Sequence, residues 1–414
     1  MTGKTVYHVD VNSAYLSWEA AYRLLQGETT DLRDIPSIVG GDPVTRHGIV
    51  LAKSIPAKRY GIRTGESLME AFKKCPSLYV VRPTFSLYMR CSAALKELLE
   101  TYSPHVETFS IDESFMDMSH VRDPLVTAHQ LKNDIRHRLG FTVNIGVSSN
   151  KLLAKMASDF QKPDRVHSLF PEEVPEKMWP LPVRELFMVG PRSEQKLHAM
   201  GIHTIGEIAS ADPEFLYHRM KSHGYLLSDY ARGIETSEFK NYSPYEAKGV
   251  GNSTTLPRDI TRLSDLQLYL LAISEMVSYR LRGIGRLARV VHVHYRSSLF
   301  EGQGHQRKLP SGIDQTMRIH EVACELFEEL WHREPVRQIG IRVSDFSDAS
   351  CFQPEIFNPR REEAQRRLDR TIDRLRERFG DDAIQRASFL HTPIPHMIGG
   401  VGEERHDLTL RSQL

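Results

Sequence analysis

Three carboxylates stand where they can do metal chemistry. Asp10 closes the apolar run TVYHVDV, and Asp112 and Glu113 sit side by side far along the chain in ETFSIDESFMDMS. Mg²⁺ prefers hard oxygen ligands and takes one or two carboxylates plus substrate phosphates. In two-metal phosphoryl transfer, one ion lowers the pKa of the attacking hydroxyl and the other neutralises the leaving group. Three carboxylates on adjacent strands suffice to hold both ions. Neighbouring side chains of a regular strand point to opposite faces. Asp112 and Glu113 therefore converge only if the strand is distorted or ends there. Taken alone, IDES reads equally well as a solvated acidic turn. An acid at the end of an apolar strand is what favours a metal site.

The elements that must position these acids are legible. KTVYHVDV is a short buried strand. Asn12 or Ser13 can cap the following helix, SAYLSWEAAYRLLQG, which stops at Gly27. Residues 28–79 hold short strand-like runs and a helix from about 66 to 74. A helix spans 85–102, and VETFSIDESFMDMS alternates as a β-hairpin with polar residues at its centre. A helix over about 124–139, the strand FTVNIGVSS and the helix NKLLAKMASDFQK follow. Residues 170–235 turn helical, with Gly190, Gly201, Gly206, Gly224 and Gly233 between short segments. Residues 236–247, TSEFKNYSPYEA, read as a polar linker. From 248 to 347 the pattern is α+β again: strands near 249–255, in RLARVVHVHYRSS and in VRQIGIRVSDF, with helices near 262–282 and 315–331. The pentapeptide QPEIF, a charged helix over about 361–379 and a polar tail end the sequence.

The chain has 414 residues, 54 Lys+Arg against 53 Asp+Glu, 40% hydrophobic and 26% charged residues. Such a composition describes a globular chain of several domains rather than a disordered one. With charge so balanced, a nucleic-acid partner must be met by local patches. No apolar run approaches a membrane span, and the N-terminus lacks a secretory h-region. The four scattered cysteines exclude a disulfide scaffold or zinc ribbon and favour a reducing, cytoplasmic setting.

Two further segments point to nucleic acid. LFMVGPRSEQKLHAMGIHTIGEIA looks like a helix-hairpin-helix, with GIHTIG joining helices 192–200 and 207–212. Amides about Gly190, Gly201 and Gly206 would then face a DNA phosphate without reading sequence; the plainer reading is an ordinary αα-hairpin. Residues 278–310 carry Arg280, Arg282, Arg286, Arg289, Arg296, Arg307 and Lys308 against the single acid Glu301. Arg286, Arg289 and Arg296 are the candidate phosphate contacts, against the alternative of a solvated charged face. His292 and His294 share a strand face and are too few for a metal site.

YHVDVNSAYLSWE, GGDPVTRHGIVLAKSIPAKRYGIRTG, ETFSIDESFMDMS and FTVNIGVSSNKLLAKMASDFQKPD resemble successive motifs of the Y-family translesion DNA polymerases, of the DNA polymerase IV (DinB) type. The resemblance extends over roughly residues 4–390. It implies an α+β multidomain right-hand polymerase: palm (1–25 and 80–167), small fingers (26–79), helical thumb with helix-hairpin-helix (168–235), linker (236–247), α+β little finger (248–350) and C-terminal tail (351–414). The implied activity is template-directed, low-fidelity, lesion-bypassing DNA synthesis from dNTPs, without proofreading. Asp10, Asp112 and Glu113 would bind two Mg²⁺ ions, with the Val11 carbonyl completing one sphere.

By the same resemblance, the amides of Ser13, Ala14 and Tyr15 would open a helix N-terminus against the triphosphate. Tyr15 would be the steric gate that excludes a 2′-OH, where the bland alternative is a core aromatic. Lys58 and Lys155 would contact phosphate; Lys151 matches less directly. The family's fingers carry a Tyr and an Arg three apart, where this chain has Ile55 and Lys58. Ile55 cannot donate, and Lys58 lacks the bidentate fork. Gln353, Ile356 and Phe357 of QPEIF resemble a sliding-clamp motif. The implied partners are primer–template DNA, dNTPs and the clamp, for a cytoplasmic monomer without membrane attachment. Two rivals remain. One is a catalytically weak or inactive paralogue that serves as a DNA- and clamp-binding adaptor. The other is a nucleotidyl cyclase, which has no need of the helix-hairpin-helix or the basic strand.

Overall fold

The computed structural model describes residues 4–41, 48–239, 248–351 and 359–398. They form two compact units, the first built from residues up to 41 and 49–242, the second mainly from residues 243 onward.

In the first unit, β1 (Val6–Val11) is buried on both faces. Tyr7, Val9 and Val11 enter the main core, while Val6 belongs to a smaller cluster on the other side with Phe115 and Ala154. Asp10 shares the parity of Val6, and so its face. Helix α1 (Ala14–Leu25) follows, and Ser13 before it is left-handed (φ 48°) with no side-chain cap bond. Asn12 caps nothing either. Its side chain bonds Asn144, Thr142 and the Asp164 amide. The expected cap is therefore absent, and the first turn of α1 keeps its amides uncapped.

A small layer follows: β2 (Ser37–Gly40), β3 (Val50–Lys53), α2 (Ile55–Arg59), α3 (Leu68–Lys74) and β4 (Tyr79–Val81), with strand order β3-β2-β4. Its core is small, centred on Ile38, Val50, Ile62 and Leu68. Ser54 caps α2 by accepting from the Ala57 amide at 3.1 Å and donates to the Ile35 carbonyl at 2.7 Å.

Next come α4 (Phe85–Glu100), β5 (Val106–Thr108), β6 (Glu113–Asp117), α5 (Pro124–Leu139), β7 (Val143–Ser148), α6 (Lys151–Asp159) and β8 (Val166–Ser168). They complete a five-stranded sheet, β5-β6-β1-β7-β8. Leu16, Trp18, Leu95, Leu99, Leu131 and Ile135 from α1, α4 and α5 fill the core on one face. Helix α6 lies on the other, pressed against Gly146, where a Cβ would fall 1.8 Å from the Ala154 carbonyl oxygen. Only glycine permits that approach. The unit ends in short helices with their own core: α7 (Val174–Lys177), α8 (Pro191–Ala199), α9 (Ile205–Ser210), α10 (Pro213–Met220) and α11 (Ser222–Ala231).

The second unit runs β9 (Gly249–Ile260), α12 (Leu263–Gly283), β10 (Arg286–Ser297), β11 (Gly302–Ile313), α13 (Thr316–Leu330), β12 (Val336–Asp348) and α14 (Pro359–Phe379). Its antiparallel sheet has the order β11-β10-β12-β9. Val291, Val293, Tyr295, Ile339, Ile341 and Val343 pack against α12 and α13. Strand β11 was not expected. GQGHQRKLPSGI lacks an apolar alternation, and it forms a largely exposed edge strand where Pro310 is tolerated.

The expected polar tail also differs. Phe389, Ile394 and Ile398 are buried in the core of this unit. Asn252 donates to the Ile398 carbonyl at 2.6 Å, which fixes the segment beside β9.

Candidate active site

Asp10 and Glu113 are register partners in the antiparallel pair of β1 and β6. Asp112 precedes the first residue of β6, in a bend, and its carbonyl accepts from the Val11 amide at 3.0 Å. The strand thus begins between the two acids, the condition their convergence required. Asp10 is buried, and burial pushes its carboxyl up to about 6; Lys162 pulls it down and Glu113 adds to the rise. The Glu113 carboxylate receives Lys155 Nζ at 2.8 Å, and Asp112 receives the Ser110 hydroxyl at 2.7 Å. Among the described residues, no three His, Cys, Asp or Glu side chains form a ready-made cation cage. The donor set nonetheless suits a hard divalent ion: all its ligands are oxygens, and cationic ammonium groups sit on Asp10 and Glu113.

Asp10, Val11, Asp112 and the first turn of α1 line a cleft of about 1000 Å³. Ser13, Ala14 and Tyr15 are on its wall, as are Ile55 and Lys58 of α2. The Tyr15 ring stacks on Tyr88 at 4.4 Å between centroids, with Phe85 edge-on at 6.2 Å. Tyr88 is itself fixed by a 2.8 Å bond from its hydroxyl to Glu19. Tyr15 is therefore a braced aromatic at the cleft rather than a plain core residue.

Lys155 departs from its expected place. It lies between the rings of Phe109 and Phe187, at 5.3 and 5.4 Å, bonded to Glu113 and off the cleft wall. Lys151 is buried against Glu107 at 2.6 Å. The lysine that reaches the cleft is Lys162, which bridges Asp10 and Asp159. Sequence reasoning passed over it because it lies beyond α6, just before Pro163. His8 was also missed. It is fully buried, with Nδ1 2.8 Å from the Ser158 hydroxyl and its ring 4.7 Å from Phe115.

The helix-hairpin-helix expectation changes in detail. Every amide of GIHTIG is engaged inside the unit. Gly201 and Ile202 donate to α8, His203 and Thr204 to the Glu207 carboxylate, and Ile205 and Gly206 to the Leu181 and Trp179 carbonyls. Gly201 and Gly206 thus have no amide to offer a phosphate. Gly190, which opens α8, donates to no other backbone group among the described residues.

The basic patch is largely neutralised. Arg282 is buried on Asp373, Arg286 pairs with Asp348, Arg289 and Lys308 with Asp345, and Arg307 with Glu325 and Glu329. The acids come from elements remote in sequence, so a local charge count could not see them. Arg296 remains exposed on the sheet face opposite the helices, among described residues without a carboxylate partner. Gln353, Ile356 and Phe357 lie outside the described residues.

Comparison with known proteins bears on the whole chain. The impB/mucB/samB family model matches residues 9–159, its C-terminal domain model 247–356, and the IMS family HHH motif 171–202. DNA polymerase IV of Clostridium acetobutylicum is 43% identical over 390 residues, 94% of this chain and 98% of that protein. DNA polymerase IV of Moorella thermoacetica is 41% identical over 362 residues, covering 86% and 90%. A solved Y-family DNA polymerase chimera (Dbh-Dpo4(243-245)-Dbh) shares the fold with a TM-score of 0.73 at 22% identity. It covers 82% of this chain and 98% of its own. The chain belongs to the impB/mucB/samB family, as a DinB-type member of the Y-family DNA polymerases, and it is a DNA-directed DNA polymerase.

Proposed function

We propose that this polymerase extends primers past damaged template bases by two-metal nucleotidyl transfer from dNTPs, without proofreading. The observation that carries the reading is that Asp10, Asp112, Tyr15 and the uncapped start of α1 line one cleft. Asp10, Asp112, Glu113 and the Val11 carbonyl would hold two Mg²⁺ ions. Bound there, they supply charge neutralisation at the phosphates and a lower pKa for the primer hydroxyl. The amides of Ser13, Ala14 and Tyr15 bind the triphosphate as an anion at a helix N-terminus. Lys58 and Lys162, both lining the cleft, add point charges. Lys155 orients Glu113 rather than touching phosphate. The Tyr15 ring, braced by Tyr88, bars a 2′-OH.

Arg296 and Gly190 support phosphate contacts to primer–template DNA. A sliding clamp bound through Gln353, Ile356 and Phe357, a cytoplasmic location and a monomeric state complete the proposal; no helix among the described residues is long and apolar enough to cross a membrane. Small fingers with little core fit weak discrimination at the nascent pair. Ile55 favours a second reading, a catalytically weak adaptor. Primer extension on a lesion-bearing template with Mg²⁺ separates them: template-directed dNTP addition supports the polymerase reading, and DNA binding without addition overturns it. Gln353→Ala with Phe357→Ala tests the clamp, and the expected loss is confined to clamp-stimulated extension.

A further inference from the structure

The second unit sorts the charges of α14 by face. Inward, Arg366 meets Asp314 at 2.7 Å, Asp369 accepts from the Thr316 amide at 2.9 Å, Asp373 receives Arg282 and Arg376 meets Glu275 at 2.7 Å. Outward stand Arg367, Arg370, Arg374 and Arg378, all exposed. Their spacing of three and four residues puts them on one helix face. Among the described residues none of the four meets a carboxylate. Arg374 donates to the Arg370 carbonyl at 3.3 Å, and Arg378 lies over the Phe379 ring at 5.0 Å.

Elsewhere among the described residues of this unit, unpaired arginines such as Arg296 stand singly, not in a row. Arg286, Arg289 and Arg307 all have acids supplied by neighbouring elements. Of the acids on α14, Asp369 and Asp373 are turned inward, while Glu363 and Glu377 are exposed and, among the described residues, pair with none of the four arginines, which stand in a row. The row spans about 16 Å at the α-helical rise. Arginine presents a fork that fits phosphate oxygens, and its weak hydration favours such contacts. The inward ion pairs hold the helix on its unit, so the row is presented on a fixed support. It lies beyond residue 356, where the match to the family's C-terminal domain ends.

We infer that this arginine row is an additional nucleic-acid grip that tracks the phosphates of duplex DNA without reading its sequence. The inference rests on the DNA-binding reading above. Leu368, Leu375 and Phe379 are exposed on the adjoining flank, so a protein partner is the competing occupant; the excess of the four arginines over the exposed Glu363 and Glu377 favours the polyanion.

The test uses the full chain, a fluorescent primer–template duplex and anisotropy over a salt series. With Arg367→Gln, Arg370→Gln, Arg374→Gln and Arg378→Gln combined, the slope of log K against log salt should fall in magnitude by about 3. The four-lysine counterpart should keep the wild-type slope, because charge and not shape is at issue. An unchanged slope in the glutamine variant overturns the inference, as does equal loss in the lysine variant. Loss of clamp binding with an unchanged DNA slope assigns the row to protein and also overturns it. A wild-type chain that binds duplex with no salt dependence would instead fail the DNA-binding reading itself.

Discussion

Nε2 of His8 lies 3.9 Å from the Glu113 carboxylate, across the β1–β6 pair. Its other nitrogen is tethered to Ser158 and its ring is packed on Phe115. The imidazole therefore packs behind Glu113, the register partner of Asp10, with Nε2 making no hydrogen bond among the described residues. His8→Phe keeps a ring in place and removes the bond to Ser158 that fixes its position behind Glu113. The concentration of Mg²⁺ giving half-maximal primer extension should rise about tenfold. Calorimetric titration of the ion should move in parallel, with primer–template affinity unchanged. No change in either ion measurement would leave His8 as packing alone.

Asp112→Asn keeps the bend before β6 and removes a cleft carboxylate. Primer extension should fall at least roughly a thousandfold, while anisotropy shows DNA binding intact. Retained extension removes Asp112 from the metal site.

Lys162 and Lys155 make different demands. Lys162→Ala takes a cation off the cleft wall, so KM for dNTP should rise roughly tenfold. Lys155→Ala frees Glu113 and should lower kcat with less effect on KM. Steady-state kinetics on both variants checks the split, and the reverse pattern would restore Lys155 as the phosphate contact.

Tyr15→Ala should raise ribonucleotide incorporation relative to deoxyribonucleotide by roughly a hundredfold. Lys58→Arg should lower KM for dNTP several-fold, because the fork engages two phosphate oxygens. Competition between dNTP and rNTP reads the first and single-nucleotide kinetics the second.

Glu275 is one source of the pH dependence of the second unit. Burial works against its ionisation, but the guanidinium groups of Arg386 and Arg376 outweigh it and hold the carboxyl below its usual range. A depressed folded value gives stability that is complete above the unfolded value of about 4.3. It is lost as pH falls through the folded value. Glu275→Gln should cost about 3 kcal/mol at neutral pH. Urea denaturation should show that gap closing below pH about 4.

The parts of the fold legible in the sequence carry local signals. Helix α5 spans Pro124–Leu139 as expected, since its proline start and glycine stop are both on its own segment. The alternation of side chains requires the strand to be distorted or to end at Asp112–Glu113, and β6 begins between them. What failed was long-range. Nothing in RLARVVHVHYRSS reveals Asp345 and Asp348 across the sheet, so the basic patch was overcounted. Strand β11 is held by its neighbour's hydrogen bonds rather than by its own pattern. Lys155 and Lys162 flank the same helix end, and only the packing of α6 on the sheet decides which one sees the cleft.

Gly146 governs that packing. Helix α6 touches bare backbone there, so it is the seat on which both lysines are aimed. Alanine at 146 would wedge the helix outward and swing Lys155 and Lys162 off their carboxylates together. A chain so altered could keep its two units folded and still be misaligned at the centre. Random drift at this one position is therefore closed, however remote it lies from any substrate atom.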